Sequence, residues 1–588
     1  MHERICRHLG WALVFMAACS MSVAARGQEG WMQPAPCGQY AAPIQTPQGG
    51  DSPAFDDIRA RLEPQQQIAN LQDQLRSVQQ APQITATADY PAPGNAAAKP
   101  ADDVKKTPEC YRIGSDLSVK VNFKDGLFLW LETPNKDFTM HLGAWMQWDN
   151  VWWSQSPALR AAPGSRPGNA QGVATGVALG GIGELEDGEY FRRIRPFAEG
   201  TFWGTGEYRL IPALENNQFS TSGLDEFWVG ETFIPVIGSV RVGHVKDPMG
   251  LEGDMTASSR CMTFMERSSY SEAIELNQNF VTGLWFSNNY FEQRMTWSAA
   301  VFRPDQAAST GSFFGDGQSG VQLRFTGLPI YEDEGRHLLH LAISSGWRDG
   351  TANIGSAAFT GNTIELRARP EMRDDVPSGS PTGNAQIIPN ANSNRMVDTG
   401  VIASDNEYLM GLESLYIRGP FSVQAEYGWN WINNAVGVVQ NSTATGFVPL
   451  ASPQNYMFNG GYVQLAYTLT GENRAYDKRL GTLAREYFGK QGPFENAWIV
   501  RDDCGNLCWG LGAWEIAARY SYVNLNSGSG LNRIQGGAMD GISLGLNWYM
   551  NTNLNVMFDW AYDNRYDLPV GTVPGYTSGF GARVQFQF

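Results

Sequence analysis

Guanidinium and hydroxyl groups gather at two places in this chain. Arg192, Arg193 and Arg195 fall within FRRIR (191–195), and Ser258, Ser259 and Arg260 are consecutive, with Arg267 eight residues beyond the second serine. Phosphate and similar oxyanions shed water only where replacement donors meet their oxygens, and arginine forks and hydroxyls are such donors. Donors spread along a path also let a solute leave again, which a single tight cage would prevent. The bland reading stays open for the serines, whose hydroxyls commonly close turns. Arg474, Lys478, Arg479 and Arg485 form a further basic stretch; they either attract anions or pair with Glu472, Asp477 and Glu486.

Other chemistries lack their residues. Past the N-terminus only His141, His244, His337 and His340 remain, none within Gly-x-Ser-x-Gly or His-Glu-x-x-His. His337 and His340 on an alternating strand would face opposite ways, unlike a metal pair. Phe488-Gly489-Lys490 lacks the rest of a phosphate-cradling loop. No enzyme activity, cofactor or metal is therefore expected. Cys504 and Cys508 in CGNLC could close a small disulfide loop in an oxidising compartment. A net charge of −16 argues against nucleic acid as a partner.

What must position the donors is legible in the period. Only 17% of the 588 residues are charged and 12% are aromatic. No apolar run past the N-terminus reaches the roughly 18 residues of a membrane helix. From about Asp116 onward the alternation is two. Leu554, Val556, Phe558, Trp560 and Tyr562 share one face, against Asn555, Met557, Asp559, Ala561 and Asp563. The stretches 421–431, 514–523 and 580–588 alternate likewise. The segments run near ten residues, with aromatics at their ends, as in a membrane-crossing barrel rather than a soluble sandwich.

Sixteen such segments can be counted, from 137–152 to 578–588, an even number that suits a closed antiparallel barrel with both ends on one side. An apolar hairpin around Lys124-Asp125-Gly126 precedes the first. Parity puts the long links 153–187, 248–279, 348–405 and 434–458 outside, and tight links such as Arg418-Gly419-Pro420 inside. One long link, 471–512, breaks that pattern and is expected to fold into the lumen. Neighbours on a regular strand point opposite ways. Arg193 and Arg195 are accordingly assigned to the lumen, with Ile194, Pro196 and Ala198 toward lipid and Arg192 at the headgroup rim.

The N-terminus has the marks of export: a basic start (Arg4, Arg7), an apolar core Leu9–Cys19, and small residues before cleavage after Ala25. Met16-Ala17-Ala18-Cys19 offers a rival lipidated Cys19. Residues 26–115 read as a periplasmic linker rich in Pro, Gln and Ala. Within it Ile68, Leu71, Leu75 and Val78 form the seam of a short coiled coil at about 65–80. The division expected is signal peptide 1–25, linker 26–115 and transmembrane barrel 116–588.

In order along the chain, FRRIRPFAEGTFWGTGEYRL (191–210), VRVGHVKDPMGLEGDMTASSRCMTFMERS (240–268), YVQLAYTLTGENRAYD (462–477), GAWEIAARYSYVNL (512–525) and the closing stretch 541–588 resemble the phosphate-selective porin O and P family. The resemblance implies a trimeric sixteen-stranded outer-membrane channel with inward-folded basic loops, some members carrying a periplasmic coiled coil. By matching motifs it implies Arg192, Arg193, Ser258, Ser259 and Arg267 at a constriction formed by the third outer loop, with Asp225 as a looser match. The partners implied are outer-membrane lipid and small anions such as phosphate. Two features pull against phosphate. Only nine of the 43 basic residues are lysine, and the serine-bearing loop also carries Glu252, Asp254 and Glu266. Carboxylates facing the pore would repel anions within about 8 Å, one Debye length. A broader small-solute pore and a surface adhesin, the latter for the long polar loop 348–405, stay as alternatives.

Overall fold

The computed structural model describes residues 112–588 apart from 125–127, 163–178, 215–222, 256–258, 276–279, 304–318, 351–363, 374–393, 441–446, 450–452, 485–487, 489–494 and 502–505. The expectations of a signal peptide, lipidated Cys19 and coiled coil fall on residues outside that set, as do Ser258 and Cys504 of the expected Cys504–Cys508 disulfide.

Sixteen strands close a barrel: β1 (Thr139–Gln155), β2 (Gly188–Phe202), β3 (Gly206–Ala213), β4 (Gly223–Ile234), β5 (Gly238–Lys246), β6 (Phe280–Tyr290), β7 (Met295–Arg303) and β8 (Gly320–Glu332). They continue with β9 (His337–Asp349), β10 (Asn406–Arg418), β11 (Phe421–Gln440), β12 (Gln454–Thr468), β13 (Ala513–Ser527), β14 (Ile534–Tyr549), β15 (Leu554–Tyr566) and β16 (Gly575–Gln587). Each pairs antiparallel with the next, and β16 pairs with β1 from Thr577↔Gln155 to Gln587↔Trp145, so no wall strand keeps a free edge along that seam. Closure is what lets apolar side chains meet lipid without exposing unpaired backbone.

Alternation decides which side chain goes where. On β15 Asn555, Met557, Asp559, Ala561, Asp563 and Arg565 are buried toward the lumen, and the intervening residues face out. Leu323, Phe325, Leu341, Ile343, Val463, Leu465, Ile542 and Leu544 are among the exposed apolar residues of the outer surface. All sixteen expected strands are present. Several run further than expected, β11 to Gln440 rather than 432, past a register shift between Ile432 and Ala435. Beyond such a shift the period of two changes phase, and the alternation that marks a strand in sequence fades.

A hairpin of Lys120–Lys124 and Phe128–Glu132 extends the wall at the end of the barrel where β1 begins and β16 stops, here called the terminal end. The lumen is filled from both ends. Loop 247–279 crosses it to reach β11 through β16, and part of loop 350–405 packs beside it through Ile364, Leu366 and Met372. From the terminal end, the first part of the link after β12 enters as expected, whereas its later strands Trp498–Arg501 and Leu507–Gly510 lie against outward-facing Trp548, contrary to the expectation that all of 471–512 turns inward. Tyr476 bonds His340, and Arg324 donates to the carbonyl of Gly481.

Candidate functional site

Loop 247–279 is held across the lumen by carboxylates meeting wall arginines. At its start Asp247 pairs with Arg348 of β9 (2.8 Å). The backbone N–H groups of Leu251 and Glu252 both donate to the Glu426 carboxylate of β11, at 2.7 and 2.6 Å. Glu252 then accepts from Arg519 of β13 (3.0 Å) and from the hydroxyls of Ser268 (2.6 Å) and Ser271 (2.9 Å). Ser268 also caps the one-turn helix Ser269–Ala273, accepting from the Ser271 N–H. Further along, Met265 N–H donates to Asp559 of β15, and Glu266 binds Arg192 (2.7 Å) and Arg583 of β16 (3.0 Å). Burial alone would favour the neutral Glu266 acid, but the Arg192 and Arg193 charges hold its carboxyl well below the usual range.

The second loop locks the first. Glu371 bridges Arg519 (2.8 Å), Ser543 (2.9 Å), the Ser521 hydroxyl and the backbone N–H of Ser269 (2.7 Å). Arg369 and Arg373 each reach Glu272 at 3.1 Å. From the terminal end Arg474 donates to Thr263 Oγ1 (2.6 Å) and to the carbonyl of Cys261. Arg474 thus serves as a strut under the loop. Arg479 pairs with Glu207 (3.0 Å), and the Lys478 ammonium sits 4.6 Å from the Tyr331 ring.

The residues singled out by sequence converge on this region. The register shifts between Gln147 and Trp148, where β2 carries one residue more than β1. This bulge overturns the expectation that Arg192 sits at the headgroup rim: an extra residue lets two neighbours face the same side, and Arg192 joins Arg193 in the lumen. Arg193, 4% exposed, donates to Gln147 Oε1 at 2.8 Å, and Gln147 in turn donates to Gln585 of β16. Arg195, assigned to the lumen by alternation, is joined to the loosely matched Asp225 at 2.6 Å, so the two neutralise each other. Ser259 opens a short turn, Ser259–Cys261. The Arg260 guanidinium lies 5.6 Å from the ring centres of both Trp145 and Phe197. Arg267 is half-buried, and its Nε donates to the carbonyl of Glu252 (2.9 Å); among the described residues no carboxylate pairs with it.

Glu252 and Glu266 are also not where the charge argument put them. They face wall arginines rather than open water, 5% exposed each, so their repulsion of a passing anion is largely cancelled at source. The residues that sequence reasoning passed over are the far-side clamps Glu426, Arg519, Asp559 and Arg583, together with Glu371. The first four each occupied the polar positions of an alternating strand, and a charge on the non-lipid face of a membrane strand was the signal available.

Residues 180–588 match the family model described as phosphate-selective porin O and P. The chain belongs to that family. It is an outer-membrane porin: its family and its barrel are those of a channel, and its place is the outer membrane. It is similar to Porin O of Pseudomonas aeruginosa, 27% identical over 420 residues, 69% of this chain and 83% of the relative. An uncharacterized protein of Caulobacter vibrioides is 24% identical over 409 residues, 68% of each chain. Among solved structures, a loop-deletion form of the outer-membrane protein OmpT of Vibrio cholerae has 10% identity and a TM-score of 0.39, covering 77% of this porin and 100% of that chain.

Proposed function

We propose that this porin lets small anions, phosphate among them, diffuse past loop 247–279, with Arg267 and Arg193 as the principal donors along the path. The observation that carries the reading is the pairing pattern. Asp247, Glu252 and Glu266 of the loop are engaged by wall arginines, while Arg267 is turned to a backbone carbonyl and Arg193 to an amide. An arginine whose fork is not occupied by a carboxylate offers bidentate donors to an oxyanion. The family's name supports phosphate as the solute.

A broader small-solute pore is the second reading, favoured by the neutralisation of Arg192 and Arg195 by Glu266 and Asp225. Planar-bilayer recording separates the two. Millimolar phosphate should block chloride current through the purified porin, and Arg267→Ala should weaken the block. Conductance steps with no block would establish the broader pore, and no steps at all would favour an adhesin. The reading includes a homotrimer with the terminal end in the periplasm, supported by the coiled-coil spacing at 68–78 and by the family resemblance.

A further inference from the structure

The link between β12 and β13 does two different things along its length. Its first part enters the lumen, as described, and its second part emerges against the outer surface. There Trp498–Arg501 and Leu507–Gly510 form a two-stranded hairpin, tethered by Ala497 N–H donating to Met550 O at 2.7 Å. The hairpin meets outward-facing indoles of the wall. Trp514 of β13 and Trp548 of β14 are cross-strand partners, stacked at 5.0 Å, and Trp498 packs edge-on against Trp548 at 5.8 Å. Both wall indoles donate to a single oxygen, the Leu511 carbonyl, at 3.1 and 2.8 Å. That convergence fixes the base of the hairpin to the barrel.

The consequence is a ledge of large apolar side chains with nothing of the described chain over it. Trp498 is 56% exposed, Leu507 51%, Trp509 45% and Leu511 61%. The ledge runs directly into the lipid-facing column of the same two strands, Ile516, Tyr520, Ile542 and Leu544, and Glu515 between them points into the lumen. A hairpin with unpaired outer edges cannot lie in hydrocarbon, because those N–H and C=O groups would go unsatisfied. Indoles and leucines at the headgroup level have no such difficulty: the rings bury their apolar bodies and the backbone edges stay wet. We infer that the paired strands Trp498–Arg501 and Leu507–Gly510 are an interfacial foot that binds the phospholipid headgroup and upper acyl region of the leaflet at the terminal end. The occupant follows from continuity: the ledge prolongs a surface whose partner is already lipid.

Photo-crosslinking tests this on the full-length porin in phosphatidylcholine–phosphatidylglycerol vesicles. A phospholipid with a diazirine high on its acyl chain is activated and its adducts are mapped by mass spectrometry. Adducts are expected on 497–511 as well as on the β13 and β14 column, which serves as the internal control. In the triple variant Trp498→Ser, Trp509→Ser, Leu511→Ser, with the barrel verified by its heat-modifiable gel band, adducts on 497–511 should fall to background while the column stays labelled. A labelled column beside a bare 497–511 in the native protein overturns the proposal. So does a chemical crosslink from 497–511 to a second copy in place of lipid.

Discussion

Two sets of lumen arginines are used in opposite ways. On β13 and β16, Arg519 and Arg583 are fully buried and each is gripped by two carboxylates, Glu252 with Glu371 and Asp149 with Glu266. Two strands from Arg583, Arg193 of β2 bonds an amide, and Arg267, on the loop itself, bonds a carbonyl. The first pair is structural, because charges removed from water need full compensation to stay ionised. The second makes its side-chain bonds to neutral oxygens rather than to a carboxylate. Residue type alone does not separate them; the reach of a carboxylate does.

Removing a clamp should break that contrast most severely. Arg519→Ala leaves Glu252 and Glu371 buried without their shared cation, a loss of about 3–5 kcal/mol when one partner of a buried pair goes. The expected outcome is a lower unfolding temperature on heat-modifiable gels and noisy, larger conductance as the loop leaves its seat. Glu266→Gln tests the other direction. It releases Arg192 and weakens the hold on Arg583, so zero-current potentials in a salt gradient should shift toward greater anion preference; an unchanged potential would show that these arginines do not face the path.

Acid offers a graded version of the same test. The Glu266 carboxyl is held well below its usual value, so its contribution is complete above the unfolded value of about 4.3 and fades as pH falls from there toward the folded value. The rise in conductance noise that comes from Glu266 protonation should therefore begin only below about 4, and Glu266→Gln should remove it. The smallest expected effect is at the helix cap. Ser268→Ala removes the bond from Ser271 N–H and one of the hydroxyls on Glu252, costing about 1 kcal/mol, visible in thermal unfolding and leaving anion preference unchanged.

Much of the architecture was legible because a membrane wall imposes a strict period of two. Phe580, Ala582, Val584 and Phe586 announce an outward face simply by alternating with Gly581, Arg583 and Gln585. The inward course of the first part of 471–512 followed from its length and the parity of the links, but the outward turn of Trp498–Arg501 and Leu507–Gly510 did not. The bulge at Arg192 was not legible, since an extra residue in one strand is defined only against its partner's register. Nor could the fate of Glu252 and Glu266 be read, because their partners Arg519 and Arg583 lie 267 and 317 residues away in sequence.

By itself the sequence determined a lipid-facing cylinder of sixteen strands, since solvation of every second side chain is a local property that survives any tertiary arrangement. Only the tertiary structure decided which arginines are gripped by carboxylates and which bond neutral oxygens, since that depends on which distant carboxylate the closed wall and the inserted loop bring within about 3 Å, the reach of a charge-assisted hydrogen bond.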